Sequence, residues 1–330
     1  MSEPKTGNNF AGPLRVDGHR REDPLAARNE PAQGGLPRVL AAIPSLNGDV
    51  ARLESLTDSL SNVGMQPLVA ATGRTLDLRL AESRVPHTSP MSNAGFGQTI
   101  THVADSSDVW GWLAIVNDDI SVDEQRLRAS LTEILARDPK DRVLAYLDPV
   151  RPKDMPTLAS VLSSVSLVGP LVSRLRPQRG DDERRTDPYR YFRPFSFVLV
   201  SRGLWDHLKG FDPRMIYTFE DADFGRRAAL ESADVYFVED AGITHSVSST
   251  SRRHIDRVLP VAVWSACAYL EKWAVPRPVA RVLCVAALLV RLAAVPVANV
   301  PRLKHLRGIW AAIVALVAQR QPTLPDYETN

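Results

Sequence analysis

The segment from Arg193 to Arg227 constrains the fold of this chain more than any other, because it joins a short apolar run to a cluster of acids. Residues 195–200 are aromatic or β-branched for the most part, a composition typical of a buried strand. Glu220, Asp221 and Asp223 follow about twenty residues later between aromatic side chains. Such a cluster indicates either a functional site beside a sheet or an acidic first turn of a helix, which the helix dipole favours.

A second apolar run also ends in acids. Trp112 to Val116 is predicted as a buried strand, and Asn117, Asp118 and Asp119 come directly after it. Carboxylate oxygens at a strand end suit a hard divalent cation such as Mg²⁺ or Mn²⁺, whereas a zinc site would contain more Cys or His. An exposed Asn-Asp turn is the alternative. Two acids after each of two buried elements favour a metal site.

Two loops, each between a predicted strand and a predicted helix, have a composition suited to binding an anion. The strand at 38–43 ends in PSLNG at 44–48, and NAGFG at 93–97 precedes a second helix. Glycines before a helix allow backbone N–H groups to approach a phosphate. Each loop is also explained as an ordinary turn, which Asn-Gly would suit.

Taken in order, these motifs resemble the family 2 glycosyltransferases of the GT-A fold, most closely the bacterial branch that adds rhamnose or related sugars to surface polysaccharides. The similarity covers roughly residues 39–245 and includes IP-x-x-N-G, N-x-G-F-G, the D-x-D position and GFD followed by FED-x-D. It implies an α/β fold with a Rossmann-like, mostly parallel sheet flanked by helices. It also implies an inverting, metal-dependent transfer of a sugar from a nucleotide-diphospho sugar.

The resemblance implies roles for individual residues. Asp221 would be the catalytic base with Glu220 beside it, while Asp119 and His245 would hold Mg²⁺ or Mn²⁺. A lone histidine is otherwise more often structural, and His245 is proposed as a ligand because asparagine replaces the first acid of D-x-D. The residues expected to contact the nucleotide sugar are Pro44, Asn47, Asn93, Gly95, Phe96, Gly97, Asn117 and Asp118.

The acceptor is expected to be lipid-linked or a polysaccharide, with Asp223 and Arg226 on its side of the site. No nucleic-acid partner is expected.

The sequence departs from the family pattern at two places. The strand at 67–71 ends without the acid that often contacts the nucleobase, and the helix after NAGFG lacks a second asparagine. A GT-A-like nucleotidyltransferase is one alternative, although PSLNG is not its basic glycine-rich signature. A catalytically silent, membrane-associated scaffold protein is the other.

Composition suggests three parts. Residues 1–35 are polar and without apolar period, which predicts disorder; residues 36–250 form the predicted catalytic domain, and 251–330 a helical extension. From 252 to 320 there are eleven Lys and Arg against two acids, although the net charge of the chain is only +2. The only cysteines are Cys267 and Cys284, and no signal peptide is visible, which together suggest a reducing cytoplasm.

The extension contains three apolar segments, 258–270, 279–300 and 309–318. The middle one is long enough to span a bilayer but contains Arg291 and Arg281, so a span is not favoured. Apolar helices with basic residues suit the surface of an anionic membrane. The expected location is therefore the inner face of the cell membrane, with packing on the core or on another subunit as the alternative.

Elsewhere the pattern is less regular. Helices are predicted at 49–62 and 123–136, and residues 74–92 are predicted to be irregular. Residues 157–175 have helical spacing, and the charged segment 176–190 is either disordered or a lid on the acceptor side.

Overall fold

A seven-stranded sheet forms the centre of the computed structural model, which describes residues 38–46, 48–89, 93–148, 151–168, 187–238, 240–245, 254–296 and 300–324. Its strands are β1 (Val39–Ser45), β2 (Met65–Ala71), β3 (His87–Thr88), β4 (Trp112–Val116), β6 (Val143–Tyr146), β9 (Phe197–Ser201) and β10 (Asp234–Phe237). Their order is β10-β6-β9-β4-β1-β2-β3. Two small antiparallel pairs lie outside it: β5 (Ile120–Val122) with β11 (Ile243–His245), and β7 (Lys153–Asp154) with β8 (Tyr191–Phe192).

The direction of the strands decides where their ends lie. Neighbouring strands are parallel except that β9 runs antiparallel to both β4 and β6. The carboxyl ends of β1, β2, β4 and β6 therefore share one edge of the sheet with the amino end of β9. Ligands of open α/β sheets bind at this edge.

Ten helices lie in the described part of the chain. They are α1 (Val50–Asn62), α2 (Arg74–Ala81), α3 (Phe96–Asp105), α4 (Glu124–Leu135), α5 (Leu158–Val165), α6 (Arg202–Leu208), α7 (Glu220–Leu230), α8 (Ile255–Trp273), α9 (Arg277–Ala294) and α10 (Arg302–Ala318).

The sheet is buried on both faces because alternate residues of a strand point to opposite sides. On β1, Ala41 and Ile43 pack in the cluster that contains buried leucines of α1 and α4, while Leu40 and Ala42 pack with α3, α6 and α7. This arrangement confirms the predicted α/β fold class of a GT-A protein, a mostly parallel sheet with helices on both faces.

Several local predictions are corrected. Residues 74–92 are not irregular, since they contain α2, which buries Leu76 and Leu80 one turn apart, and the short strand β3. The predicted helix at 157–175 ends at Val165 within the described residues. The helix with the second acidic cluster begins at Glu220, so these acids occupy its first turn. The segment predicted to be disordered, 1–35, and most of the charged segment lie outside the described residues.

The C-terminal helices form a third cluster around α8, which contacts α5, α9 and α10. The compact unit that contains the described residues spans Gly35–Asn330, and so includes both the predicted catalytic domain and the extension. Among the described residues, no helix combines the length and the apolar character needed to cross a bilayer.

A buried charge cluster joins α7 to α8. The Asp223 side chain has no exposed surface and lies 2.8 Å from both the Arg227 Nε and the Lys272 Nζ, and it accepts a hydrogen bond of 2.8 Å from the Trp273 indole. Arg227 also donates to the carbonyl of Gly210. Because all its contacts are internal, Asp223 fixes α7 against α8. The expectation that Asp223 lies on the acceptor side of the site is therefore corrected.

We expect Asp223→Ala to lower the free energy of unfolding by about 3–5 kcal/mol, because it removes the counterion of the largely buried Arg227 and leaves Lys272 with Asp212 alone. Asp206→Ala is the matched control: Asp206 also pairs with an arginine four residues away, but on the surface, and its loss costs about 0.5 kcal/mol. Urea unfolding followed by circular dichroism measures both. Equal losses would show that the Asp223 cluster does not hold the two helices together.

Candidate active site

A cavity of about 400 Å³ opens at the carboxyl edge of the sheet. It is lined by the loops after β1, β2 and β4 and by the start of α3. The structure brings seven of the residues expected to contact donor or metal into this one lining: Pro44, Asn93, Gly95, Phe96, Asn117, Asp118 and Asp119. Asn47 lies outside the described residues. The edge location follows from the strand directions.

Backbone geometry explains one glycine of the NAGFG loop. Gly95 has φ +88°, and a Cβ added there would lie 1.8 Å from the Ile216 carbonyl oxygen. Both the left-handed conformation and the close approach require glycine.

Gly97 has a packing role in addition to the one expected. It is buried in α3, and an added Cβ would lie 2.9 Å from the Phe211 Cβ, so the lack of a side chain allows α3 to pack on Phe211. Its backbone N–H lies in the first turn of α3, and its contact with the nucleotide sugar stays a prediction.

Asp118 is held at the floor of the cavity by β1. The Ser45 hydroxyl donates a 2.6 Å hydrogen bond to Asp118, and the Arg52 guanidinium lies 3.9 Å from the other carboxylate oxygen. Burial raises the pKa of Asp118, and these two contacts act against that shift. Arg52 remains partly exposed, so it adds a positive charge to the lining of the cavity.

Asp119 and His245 are brought together by the pairing of β5 with β11, which sets His245 opposite Ile120. The His245 Nε2 atom lies 2.9 Å from the Asp119 Oδ1 atom. This oxygen is buried, and its contact with the imidazole lacks the direction of a hydrogen bond, so it has no hydrogen-bond partner in the described part of the chain.

A third acid, which the sequence reasoning missed, completes this group. Asp148 lies just after β6, is buried, and accepts a hydrogen bond from the Ser196 hydroxyl. Its Oδ2 atom is 3.6 Å from the His245 Nδ1 atom, on the opposite side of the ring from Asp119. The signal that could have found Asp148 is the one used for Asp118 and Asp119, an acid directly after an apolar strand.

The Asp119 and His245 side chains fit part of a cation shell. Adjacent ligands of an octahedral ion with bonds of about 2.1 Å lie about 3 Å apart, close to the observed 2.9 Å, and Asp119 has an unused buried oxygen. No group of three such side chains in the described residues is arranged to hold a metal. The pair therefore suits an ion such as Mg²⁺, which takes its other ligands from phosphates and water.

Glu220 and Asp221 occupy the first turn of α7, after Phe219, which has the left-handed φ of +73°. Burial, and then the charge of Asp221, raises the pKa of Glu220 well above its usual range. Burial also raises the pKa of Asp221, to about 6, and hydrogen bonds from the amides of Ala222 and Phe195 and the charge of Lys153 act against that shift.

Asp221 is connected to the donor side through the chain that leads into β9. The Phe195 backbone amide is close enough to Asp221 to act against the rise of its pKa, and the carbonyl of the next residue, Ser196, accepts a 2.8 Å hydrogen bond from the backbone N–H of Asn117. The Ser196 hydroxyl contacts Asp148. Two consecutive residues, Phe195 and Ser196, therefore connect the carboxylate pair with the residues that follow β4 and β6.

A second cavity has a volume of about 720 Å³. It is lined by the loop at 154–158, by β8 and by the end of α8. Arg226 is in this lining, with its guanidinium 4.4 Å from the centre of the Trp273 ring, and Tyr269 and Tyr191 add aromatic surface. The structure thus separates the expected acceptor pair, since Arg226 faces a cavity whereas Asp223 is buried.

Other lining residues were not anticipated. Thr72 stands where the family often has an acid, and both its amide and its hydroxyl donate to the Ser45 carbonyl. Tyr217 and Leu324 also line the donor-side cavity, and Leu324 comes from the C-terminal segment. Leu324 packs with Ile216 and Val261, a long-range contact that no local pattern could reveal.

No protein-family model and no curated protein matches the sequence. Among solved structures it is similar to S. aureus TarS, with TM-score 0.40 and 11% identity over 76% of this chain and 43% of that one. It is also similar to residues 1–349 of S. aureus TarS, with TM-score 0.43 and 13% identity over 86% and 91% of the two chains. A third is GalNAc-T7 in a crystal structure with UDP, GalNAc and Mn²⁺, with TM-score 0.44 and 13% identity over 89% and 59%.

The chain thus spans less than two thirds of the full TarS and GalNAc-T7 chains in those structures. At such identities and TM-scores these likenesses establish neither the family nor the activity of this chain.

We expect Gly95→Ala to destabilise the protein more than Gly64→Ala, although both glycines have φ near +90°. Alanine in this conformation costs about 1–2 kcal/mol at either position. Nothing lies within 4 Å of a Cβ at Gly64, whereas the Ile216 carbonyl blocks one at Gly95, which adds about 1–3 kcal/mol. Urea unfolding of the two variants measures the difference, and equal losses would mean that the loop moves aside freely.

Proposed function

We propose that this protein is an inverting, metal-dependent glycosyltransferase that uses a nucleotide-diphospho sugar as donor. The observation that carries the proposal is the convergence of seven separately expected residues in one cavity at the carboxyl edge of the sheet. The expected partner is a lipid-linked or polysaccharide acceptor, and rhamnose is the proposed sugar. We also propose that the protein acts at the cytoplasmic side of the cell envelope.

The donor would lie in the cavity at the carboxyl edge of the sheet. Its diphosphate would meet the start of α3, where free backbone N–H groups and the helix dipole favour an anion, and the positive charge of Arg52. Asp118 would contact the nucleotide sugar, as expected from its position. Thr72, whose donors are both used internally, offers only acceptor capacity to a base or ribose.

Asp119 and His245 would hold Mg²⁺ or Mn²⁺ against the diphosphate, with Asp148 beside the far nitrogen of the imidazole. When bound, the cation supplies charge neutralisation for the leaving nucleoside diphosphate. Asp148 would keep His245 in the orientation that points Nε2 toward Asp119.

Asp221 would take the proton of the acceptor hydroxyl. The acceptor oxygen forms a bond to the anomeric carbon as the bond from that carbon to the diphosphate breaks, and the acceptor proton moves to the Asp221 carboxylate. A base with a pKa raised to about 6 is stronger than an ordinary aspartate but still ionised at neutral pH. Glu220, with its higher pKa, would keep a proton over a wider pH range.

The acceptor would enter through the larger cavity. Aromatic rings bind the apolar faces of sugars, and this lining contains Tyr189, Tyr191 and Trp273. Arg226, stacked on Trp273, would donate to acceptor oxygens. Lys153, next to the lining residue Asp154, would keep Asp221 oriented and ionised.

We expect one nucleotide-diphospho sugar from a panel to bind only when Mn²⁺ or Mg²⁺ is present, and not in EDTA. His245→Ala should weaken this binding at least tenfold, since a lost contact around a metal costs about 10- to 100-fold in affinity. Isothermal titration calorimetry measures both effects.

His207→Ala is the matched control, because His207 is exposed and bonded to Glu231 away from the cavity. It should bind as the wild type does. Binding that ignores the metal would contradict the proposed metal site, and no binding at all would favour the silent scaffold protein.

We expect Asp221→Asn to reduce transfer at least a thousandfold while donor affinity changes less than threefold, because the base acts on the acceptor and not on the donor. Asp58→Asn, at an exposed ion pair with Arg84, is the control and should leave both unchanged. Single-turnover assays with donor binding measured in parallel separate the two effects. A loss of donor binding in Asp221→Asn would make Asp221 a ligand of the donor or metal.

The pH profile provides a further check on the same residue. The base works only when ionised, so kcat/KM should rise with pH through about 6 and fall tenfold per unit below it. Lys153→Gln removes a charge that lowers this pKa, so the rising limb should move to higher pH. An unchanged midpoint in Lys153→Gln would exclude Asp221 as the titrating group.

A further inference from the structure

The exposed apolar side chains of this protein are concentrated on two helices. Ten of the fourteen large apolar side chains that are exposed among the described residues lie between Val279 and Val317, on α9 and α10. The other four, at Leu78, Val109, Tyr189 and Leu230, are scattered over the rest of the chain. Single exposed apolar residues are normal, whereas a contiguous group marks an interaction surface.

The positions form one face on each helix. On α10, Leu303, Trp310 and Val317 are seven residues apart and about 70% exposed. On α9, Val282 and Leu289 are also seven apart. Seven residues are close to two turns, so these side chains stack along one face. The opposite faces carry Cys284, Leu288, Ile309, Ala312 and Leu316, which are buried against α8 and its neighbours.

Charge identifies the partner. Between residues 274 and 325 the sequence contains seven Lys and Arg and not one acid, and all but the buried Arg291 are at least partly exposed. Arg302 and Arg307 are exposed in the first turns of α10, beside the apolar face. A second copy of the same surface would bring like charges together, whereas an anionic lipid surface attracts each of them.

We propose that the exposed faces of α9 and α10 form a binding surface for an anionic membrane, called here the lipid face, on which the protein lies without spanning the bilayer. Trp310 and its apolar neighbours would enter the boundary between head groups and acyl chains, and the arginines would contact lipid phosphates. The described helices are too short or too interrupted by charge to cross the bilayer, and apolar stripes with basic residues suit an interfacial position.

The lipid face begins where the larger cavity ends. Ala274 and Trp273, at the end of α8, line that cavity, and Val279 at the start of α9 is exposed. If sugar transfer occurs as proposed above, an acceptor anchored in lipid would reach Asp221 from this side. The lipid face itself is independent of that proposed function.

The test uses the full-length protein and vesicle flotation, with phosphatidylcholine alone or with about one third phosphatidylglycerol. We expect binding to the anionic vesicles, much weaker binding to the neutral ones, and release at high salt. Arg302→Gln with Arg307→Gln should weaken binding to anionic vesicles about fivefold for each arginine removed. Leu303→Ser with Trp310→Ser should weaken it at least tenfold.

Leu78→Ser with Val109→Ser is the control, since it removes two exposed apolar side chains outside the lipid face and should bind like the wild type. Thermal melts of each variant check the fold. Failure of the wild type to bind, or equal weakening in the control, would overturn the proposal. So would sedimentation showing a stable dimer that Leu303→Ser with Trp310→Ser dissociates, because the face would then join two copies of the chain.

Discussion

The reversed direction of β9 is the constraint on which the candidate site depends. Because β9 is antiparallel to β4 and β6, its amino end lies at the edge where those strands finish. Phe195 and Ser196, just before β9, therefore lie between the residues that follow β4 and β6. Ser196 bonds to Asn117 and Asp148, and the Phe195 amide acts on the pKa of Asp221, so the amino end of β9 connects the proposed base with the proposed cation site. A parallel strand at this position would put its amino end at the opposite edge.

The charges of α7 show how one helix turn can contain two kinds of acid. Asp223 is buried but surrounded by Arg227, Lys272 and the Trp273 indole, so its charge is compensated and fixes the helix. Within the described part of the chain, Glu220 and Asp221 form no ion pair of this kind, although the charge of Lys153 acts on Asp221, and burial raises the pKa of both. The Glu220 Oε2 atom is buried without a hydrogen-bond partner in the described residues. A buried carboxylate pair with raised pKa values, next to an aspartate whose charge is neutralised by ion pairs, is typical of a functional site and not of a simple acidic first turn.

The sequence predicted the parts of this arrangement that depend on local pattern. An apolar strand followed by acids identifies Asp118 and Asp119, since burial and the polar strand end are both visible in a short window. Asp148 follows the same rule, but its relevance depends on β6 lying next to β9, which no local pattern states. The two-residue strands β3, β7 and β8 have no period to detect. Gly97 was assigned to the donor because its motif was recognised, whereas its distance to Phe211 shows a packing requirement.

The C-terminal extension is joined to the site by contacts and not only by sequence. Lys272 and Trp273 of α8 bind Asp223, Tyr269 and Trp273 line the larger cavity, and Leu324 reaches the smaller one. A force that moved α8 relative to the sheet would therefore act on α7 and on both cavities. Since α9 and α10 pack on α8, a surface that holds their outer faces also sets the position of α8. If the lipid face binds a membrane as proposed, that binding and the geometry of the carboxylate pair would be coupled through α8.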